Sequence, residues 1–127
     1  MGFRDEKQRA MVCHALMRLV RQEKLFLPID DIGSSGGPSG NAMREFTLIL
    51  EGGSHLSRGE KTMLSLAWYF WNGYGNVPIG DIMALEPSLV EAIGTLISAS
   101  SGKNPLLIDQ WIDAWKGVDT AADYFAS

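Results

Sequence analysis

Apolar residues follow the period of an α-helix in several segments of the chain, and they are densest in residues 58–72. In this segment the apolar positions leave little polar face: Met63, Leu64, Leu66, Ala67, Trp68, Phe70 and Trp71. A helix that is apolar nearly all round is usually buried. Ser57 and Glu60 fit a capping box at its start, and Gly73 stands where a left-handed residue ends a helix. The pattern therefore predicts a central core helix over 58–72.

Further helices are predicted on both sides of the central one. They cover residues 3–24, 41–51, 78–85, 87–97 and 105–116, with a last short turn over 120–125. Asn104 followed by Pro105 is a typical helix start, Asp119 can cap the last turn, and residues 98–104 are expected to form a loop. We therefore expect an all-α fold, a compact single-domain bundle of five or six helices around a buried central helix.

Residues 41–51 leave two structures open. Asn41 could cap a helix, but the stretch from Arg44 to Glu51 also alternates apolar and polar residues with the period of a strand. Helix is favoured because we find no second convincing strand, and a lone strand would leave its backbone groups unpaired.

Two segments between the first two helices are expected to be non-helical. Pro28 disfavours helix at Leu27, so Leu25, Leu27 and Ile29 are predicted to pack onto the core as a short extended piece. Residues 33–40 are rich in Gly and Ser and predict a flexible loop. Because too few residues precede this loop to build a core, we expect one domain over 1–127.

Charge is distributed unevenly between the two ends of the sequence. The whole chain has a net charge of −4, whereas residues 1–24 carry six basic and three acidic residues. Arg4, Lys7, His14, Arg18 and Arg21 recur at helical spacing and form a cationic stripe on the predicted first helix. The stripe could bind an acidic protein surface, including that of a second copy, or it could be an ordinary solvated helix face.

Aromatic residues supply a second candidate surface. Four Trp residues are many for 127 residues, and aromatic side chains are enriched at protein interfaces. Trp71, Tyr74 and Trp111 could form an aromatic end that takes an apolar contact, although aromatic residues at helical spacing also build cores.

The segment Leu56-Ser57-Arg58-Gly59-Glu60 resembles the LSGGE signature of ABC-type ATPases, including their chromosome-maintenance branch. In that family the signature Ser and glycine backbone contact the γ-phosphate held by a partner subunit, which Ser57 and Gly59 would do here. Residues 85–88, Leu-Glu-Pro-Ser, resemble the family's Asp-Glu-Pro-Thr, but Leu85 replaces its magnesium-binding acid. The Gly-rich loop also lacks the GK[ST] ending of a phosphate-binding loop. A helix cap explains the same letters.

Other chemistry finds little support in the sequence. His14 and His55 are the only histidines and fit no metal-binding motif, and Cys13 alone can form no intrachain disulfide. Asp109 and Asp113 could pair as general acid and base, but a solvated helix face is the better interpretation. Residues 78–97 resemble a helix–turn–helix, yet its second helix carries no basic residue. We expect no catalytic residues, no cofactor and no metal, and hence no enzyme.

These observations favour a non-catalytic helical protein-interaction or adaptor module, with self-association as a further option. The alternative is a nucleic-acid-associated regulator that uses the cationic stripe, and a third hypothesis is a nucleotide-binding protein with a degenerate ABC-type signature. The N-terminal residues lack the apolar segment of a secretory signal, and no apolar run is long enough to span a bilayer. We therefore expect a soluble cytoplasmic protein that binds a protein partner or itself and no membrane.

Overall fold

The computed structural model describes residues 2–29, 36–102 and 104–126. Helices dominate this part of the chain, which confirms the predicted all-α class. The helices are α1 (Glu6–Arg18), α2 (Gly40–Glu51), α3 (Arg58–Asn72), α4 (Ile79–Met83), α5 (Pro87–Ser101), α6 (Pro105–Trp115) and α7 (Ala121–Ala126). Five of these helices have eleven or more residues, while α4 and α7 have five and six. None of the helices in the described ranges combines the length and apolarity needed to cross a bilayer.

Helix α3 has the bounds that the sequence predicts, because both of its ends are set by local chemistry. The Ser57 hydroxyl accepts a hydrogen bond from the Glu60 backbone N–H at 3.1 Å, and the Glu60 carboxylate accepts one from the Ser57 N–H at 2.9 Å. Gly73 ends the helix with φ of 72°, a conformation that glycine adopts without steric cost. The capping box and the glycine end are therefore confirmed.

Helix α1 is shorter than the predicted 3–24. It begins after Asp5, whose side chain accepts a hydrogen bond from the Gln8 backbone N–H at 2.8 Å. It ends at Arg18 because Arg21 turns left-handed, with φ of 60°, and a 3-10 turn (Glu23–Leu25) follows. The apolar spacing that suggested a longer helix continues to Val20, although the helix itself ends at Arg18.

The segment after α1 contains a short antiparallel strand pair that the sequence did not predict. Strand β1 (Phe26–Leu27) pairs with β2 (Gly37–Pro38). Of the three residues predicted to pack onto the core, Leu25 is buried and Ile29 is half-buried, but Leu27 is 44% exposed and Phe26 is fully buried in its place. The reason is that Leu25 still belongs to the 3-10 turn, so strand alternation begins one residue later. Of the predicted flexible loop 33–40, residues 33–35 lie outside the described residues.

Residues 41–51 are helical, as favoured, although Ser39 rather than Asn41 caps α2 by accepting a hydrogen bond from the Ala42 N–H at 3.2 Å.

The prediction of a loop over 98–104 was partly wrong, because α5 continues to Ser101 and no glycine or proline interrupts it after Gly94. Asn104 caps α6 as predicted. Helix α7 is capped by the Thr120 hydroxyl rather than by Asp119.

The core lies where α1, α3, α5 and α6 meet, and α1 packs most extensively against α3. Its largest fully buried side chains come from these four helices and from β1: Val12, Cys13, Leu16, Met17, Phe26, Met63, Leu64, Ile93, Leu96 and Ile108. Burial of about ten such side chains at roughly 1.5–3 kcal/mol each is the main stabilisation of the fold.

The central helix is not buried on every side. Its core-facing residues are Thr62, Met63, Leu64, Leu66, Ala67 and Phe70, whereas Tyr69 is 42% exposed. Trp68 is half-buried and stacks on Phe46, with the ring centroids 4.7 Å apart and nearly parallel. Trp71 is also half-buried, against Phe26. In the aromatic run of α3 the chain therefore buries Phe70, covers Trp68 and Trp71 in part, and leaves Tyr69 the most exposed.

Candidate docking groove

A groove of about 450 Å³ runs between α1, the end of β1 and the C-terminal end of α6. Its lining consists of Lys7, Met11, His14, Ala15, Arg18, Pro28, Ile29, Ile112, Trp115, Lys116 and Gly117. The α1 residues of this set recur at steps of three and four, which puts them on one face of the helix. Asp30 and Asp31, which follow Ile29 in the sequence, lie outside the described residues.

The groove has an apolar floor and a cationic rim. Met11, Ile112 and Trp115 form the floor together with the proline and isoleucine that follow β1. Lys7 and Lys116 are exposed, and Arg18 is half-exposed. Among the described lining residues there is no carboxylate. A chain with net charge −4 thus concentrates positive charge beside an apolar floor at this place.

His14 is held in one orientation at the groove. Its Nδ1 lies 2.7 Å from the carbonyl oxygen of Phe26, which can only accept a hydrogen bond, so Nδ1 carries the proton. This hydrogen bond ties α1 to β1 and leaves Nε2 as the remaining polar atom of the ring.

Arg4, at the N-terminal end of the predicted stripe, is engaged within the chain. Its guanidinium donates to both carboxylate oxygens of Asp109, at 2.6 and 3.3 Å. Gln8 donates to the same carboxylate at 2.8 Å and to the Pro105 carbonyl at 2.9 Å. The hydrogen bonds from Arg4 and then from Gln8 lower the pKa of Asp109. Asp109 therefore joins α6 to the start of α1, and Asp113 is an exposed residue of the same helix.

The C-terminal end of the stripe lies beside carboxylates, because Arg18 and Arg21 line a small cavity together with Glu23 and Asp119. The Arg18 guanidinium lies 3.5 Å from the Asp119 carboxylate, and both side chains are substantially exposed, so this pair contributes little to stability. Arg21 stands beyond the end of α1 and lines a different cavity. Of the five predicted stripe residues, the structure therefore brings Lys7, His14 and Arg18 together in the groove.

The three predicted aromatic residues occupy different environments. Trp111 is 5% exposed, and its Nε1 donates a hydrogen bond to the Ala92 carbonyl at 3.0 Å, which places it in the core. Trp71 lies under the Arg9 guanidinium, 4.7 Å from the ring centroid. Tyr74 is 62% exposed and meets the edge of Phe46. Trp71 and Tyr74 thus flank the end of α3, whereas Trp111 packs between α5 and α6.

A second cavity, of about 440 Å³, contains both segments that resemble the ABC-type motifs. Ser57, Gly59 and Glu60 line one side and Leu85, Glu86 and Ser88 the other. The Ser57 hydroxyl and the Glu60 carboxylate are occupied by the capping box, and Gln22 also donates to Glu60. Burial would raise the pKa of Glu60, but the hydrogen bonds from Ser57 and Gln22 outweigh it and lower that pKa. The charges of this cavity are mixed.

Two further candidates from the sequence can be placed. Cys13 is fully buried and donates to the Ala67 carbonyl at 3.3 Å, and burial raises the pKa of its thiol. It is a small core residue. Within residues 2–29, 36–102 and 104–126, no group of three or more His, Cys, Asp or Glu side chains is arranged to hold a metal ion.

The fold and the groove together define a small all-α protein with a basic, apolar-floored surface. Comparisons with protein-family models, with curated proteins and with solved structures found no match for this chain.

Sequence reasoning found the α1 side of the groove and missed the other side. Ile112 and Trp115, on the apolar side of the predicted helix 105–116, are indeed core residues, 9% and 4% exposed, and only their edges reach the groove, whereas Lys116 was given no role. What the sequence could not show is that α6 lies beside α1.

Proposed function

We propose that the chain is a non-catalytic protein-interaction module that binds an acidic segment of a partner protein in the groove. The observation that carries the proposal is the combination of an apolar floor with a rim of Lys7, Arg18 and Lys116 and no carboxylate in the described lining. We place this activity in the cytoplasm, as the sequence suggested.

The floor supplies affinity in this proposal. An apolar side chain that covers the half-buried Met11, Pro28 and Ile29 would remove their exposed surface from water, at about 25 cal/mol for each Å² buried. Ile112 and Trp115 are already buried by the chain itself. The half-buried Met11 side chain can adapt its shape to the side chain that it contacts, because methionine is flexible and polarizable.

The rim supplies specificity and speed. Cations around an apolar centre attract acidic segments and disfavour basic ones, and the association rate falls as salt screens the charges. Arg18 is the rim residue whose present partner, Asp119, is exposed and weakly held, so a ligand carboxylate can replace it.

The experiment is photo-crosslinking from inside the groove in the cells that express the chain. A benzophenone amino acid replaces Met11, and a matched control replaces Met43, which is 58% exposed on α2. We expect protein adducts at position 11 that are absent at 43, with the crosslinked peptide acidic and carrying apolar residues. Loss of these adducts in Lys7→Glu/Lys116→Glu would confirm the rim, while Lys24→Glu/Arg44→Glu should keep them.

Two results would overturn the proposal. One is an absence of adducts above the level at position 43, and the other is adducts whose crosslinked segments are basic or are nucleic acid.

The nucleic-acid alternative predicts a different result for the same variants. A phosphate-binding stripe would bind a mixed-sequence DNA duplex with an affinity that falls steeply with salt, and the groove double variant would reduce that slope by about two. Engagement of Arg4 by Asp109 shortens the stripe available for phosphates. We therefore favour the protein partner.

A further inference from the structure

His14 brings a titratable ring to the groove, and its hydrogen bond decides which ring nitrogen a ligand can reach. Nδ1 lies 2.7 Å from the Phe26 carbonyl oxygen, so it keeps its proton in both charge states of the ring. Of the side-chain nitrogens and oxygens in the described ranges, only the Arg9 Nε is buried without a hydrogen-bond partner. Nε2 of the half-buried His14 is therefore accessible, and the ring borders the groove.

The charged groups that line the groove with His14 are cations. Lys7 and Arg18 lie on α1 and Lys116 follows α6, while the two carboxylates of α6 do not line the groove and β1 contains no titratable side chain. Between about pH 8 and about pH 6, lysine and arginine stay charged and the carboxylates of a ligand stay ionised. Histidine is the side chain that changes charge in this range. Among the described lining residues, His14 is therefore the one that makes the groove respond to pH there.

We propose, building on the function proposed above, that Nε2 of His14 contacts a carboxylate of the bound acidic segment and takes up a proton when the segment binds. An unprotonated Nε2 only accepts hydrogen bonds, and so does a carboxylate, so the two groups attract each other only when Nε2 is protonated. The protonated ring then donates a charge-assisted hydrogen bond, which is stronger than a neutral one. The cations of the rim oppose a further positive charge in the empty groove, so it is the bound carboxylate that favours the proton.

Binding and protonation are then coupled in both directions. Because the ligand favours the protonated ring, the affinity that His14 contributes is fully present in mild acid and is lost as the pH rises and the bound ring gives up its proton. A ligand that placed a hydroxyl or amide donor on Nε2 would instead bind more weakly in acid. The sign of the pH dependence therefore identifies the ligand group that faces His14.

Titration calorimetry with a synthetic peptide tests the contact. The acidic probe is Asp-Glu-Leu-Glu-Phe-Asp-Leu-Glu with both ends blocked, and its control has Asn and Gln in place of the acids. The affinity of the unaltered chain for the acidic probe should rise at least about fivefold from about pH 8 to about pH 6. Buffers of different ionisation enthalpy should reveal proton uptake on binding, which the control peptide should not cause.

Three variants assign the pH dependence to one ring. His14→Asn keeps an N–H donor for the Phe26 carbonyl but gains no proton, so the rise in affinity and the proton uptake should disappear. His14→Gln is a second variant without a titratable group and should behave in the same way. The control is His55→Asn, which changes the only other histidine, 77% exposed on a different surface, and it should keep both effects. Circular dichroism verifies that each variant is folded.

A proton–nitrogen NMR correlation of the imidazole rings checks the orientation of His14 without a ligand. At about pH 8 the free chain should carry the His14 proton on Nδ1. Addition of the acidic probe at about pH 7 should increase the fraction of rings that are also protonated at Nε2. This measurement uses the unaltered chain, so it does not depend on how the variants fold.

Three results would overturn the inference. They are a free His14 that carries its single proton on Nε2, an affinity for the acidic probe that does not rise in acid, and a rise that persists in both folded His14 variants. If the groove crosslinks to acidic segments while binding of the probe is independent of pH, the proposed function stands and this inference fails. An absence of adducts at position 11 would remove the proposed function itself.

Discussion

The left-handed Arg21 is the clearest case in which a single backbone angle decides the local structure. A side chain at positive φ brings Cβ close to the following carbonyl oxygen, and β-branched residues tolerate this least. Arg21 adopts this conformation between the end of α1 and the 3-10 turn.

Arg21→Val should therefore lower the free energy of unfolding by about 1–2 kcal/mol. Arg21→Gly should stay within about 0.5 kcal/mol of the unaltered chain, because relief of the steric cost is offset by the larger backbone entropy of unfolded glycine. Urea denaturation followed by circular dichroism measures both values. Equal losses in the two variants would show that the side chain, and not the backbone angle, matters.

The carboxylate of Asp109 should make stability depend on pH. Its pKa is lowered in the folded state, so its stabilising contribution is complete at neutral pH and is lost as the pH falls through the folded pKa. The difference in unfolding free energy between the unaltered chain and Asp109→Asn should be largest near pH 7. It should shrink below about pH 4, near the pKa of an unfolded Asp.

Thermal unfolding from pH 7 to pH 2 measures this difference. Asp113→Asn, on the exposed side of the same helix, is the control and should change stability little at any pH. A constant difference for Asp109→Asn across the range would assign its effect to packing and not to charge.

At the scale of elements, the start of α3 is a coupled unit. Ser57→Ala should destabilise the chain by about 1 kcal/mol, the usual cost of losing a side-chain cap. Because Ser57 and Glu60 satisfy each other, the double variant with Glu60→Ala should lose less than the two single losses added. Chemical denaturation of the four proteins gives the coupling, and additive losses would contradict the capping box as an energetic unit.

The sequence predicted those elements whose ends are set by nearby residues. The bounds of α3 follow from Ser57, Glu60 and Gly73, and each of these residues acts within one turn of the helix end that it determines. The end of α1 was predicted wrongly because apolar spacing continues to Val20, whereas the backbone turns left-handed at Arg21, next to the pairing of Val20 with Thr120. That pairing joins distant parts of the chain, and no periodicity reveals it.

The candidate groove was predictable in the same partial way. The α1 face follows from helical spacing alone, so Lys7, His14 and Arg18 could be grouped from the sequence. Capture of Arg4 by Asp109 and the approach of Lys116 depend on how α6 packs beside α1. Residues on separate helices share a surface only through the tertiary fold, which short-range patterns do not contain.

At the scale of the whole molecule, Cys13 reports on the integrity of the core. Its thiol is fully buried at the face of α1 that meets Ala67 of α3, and burial raises its pKa, so almost no thiolate is accessible in the folded state. Reaction with a thiol reagent should be at least about a hundredfold slower in the native protein than in denaturant, since it requires opening of the core. Absorbance of the released thiolate gives the rate.

The same reagent provides its own control in denaturant, where the reaction should be fast. A native rate close to the denatured rate would show that α1 separates readily from α3 and would contradict the close packing of that pair.

The packing of α1 on α3 also has a consequence for the order in which the chain folds. These two helices form the most extensive helix pair, yet α2 and the strand pair lie between them in the sequence. Helix α3 carries its own start and stop signals, whereas its partner must be brought across that intervening chain at an entropic cost. In the transition state for folding, α3 should therefore already be formed, whereas α1 has not yet packed against it. Substitutions at Ser57 would then slow refolding, while those at Asp109 would mainly speed unfolding.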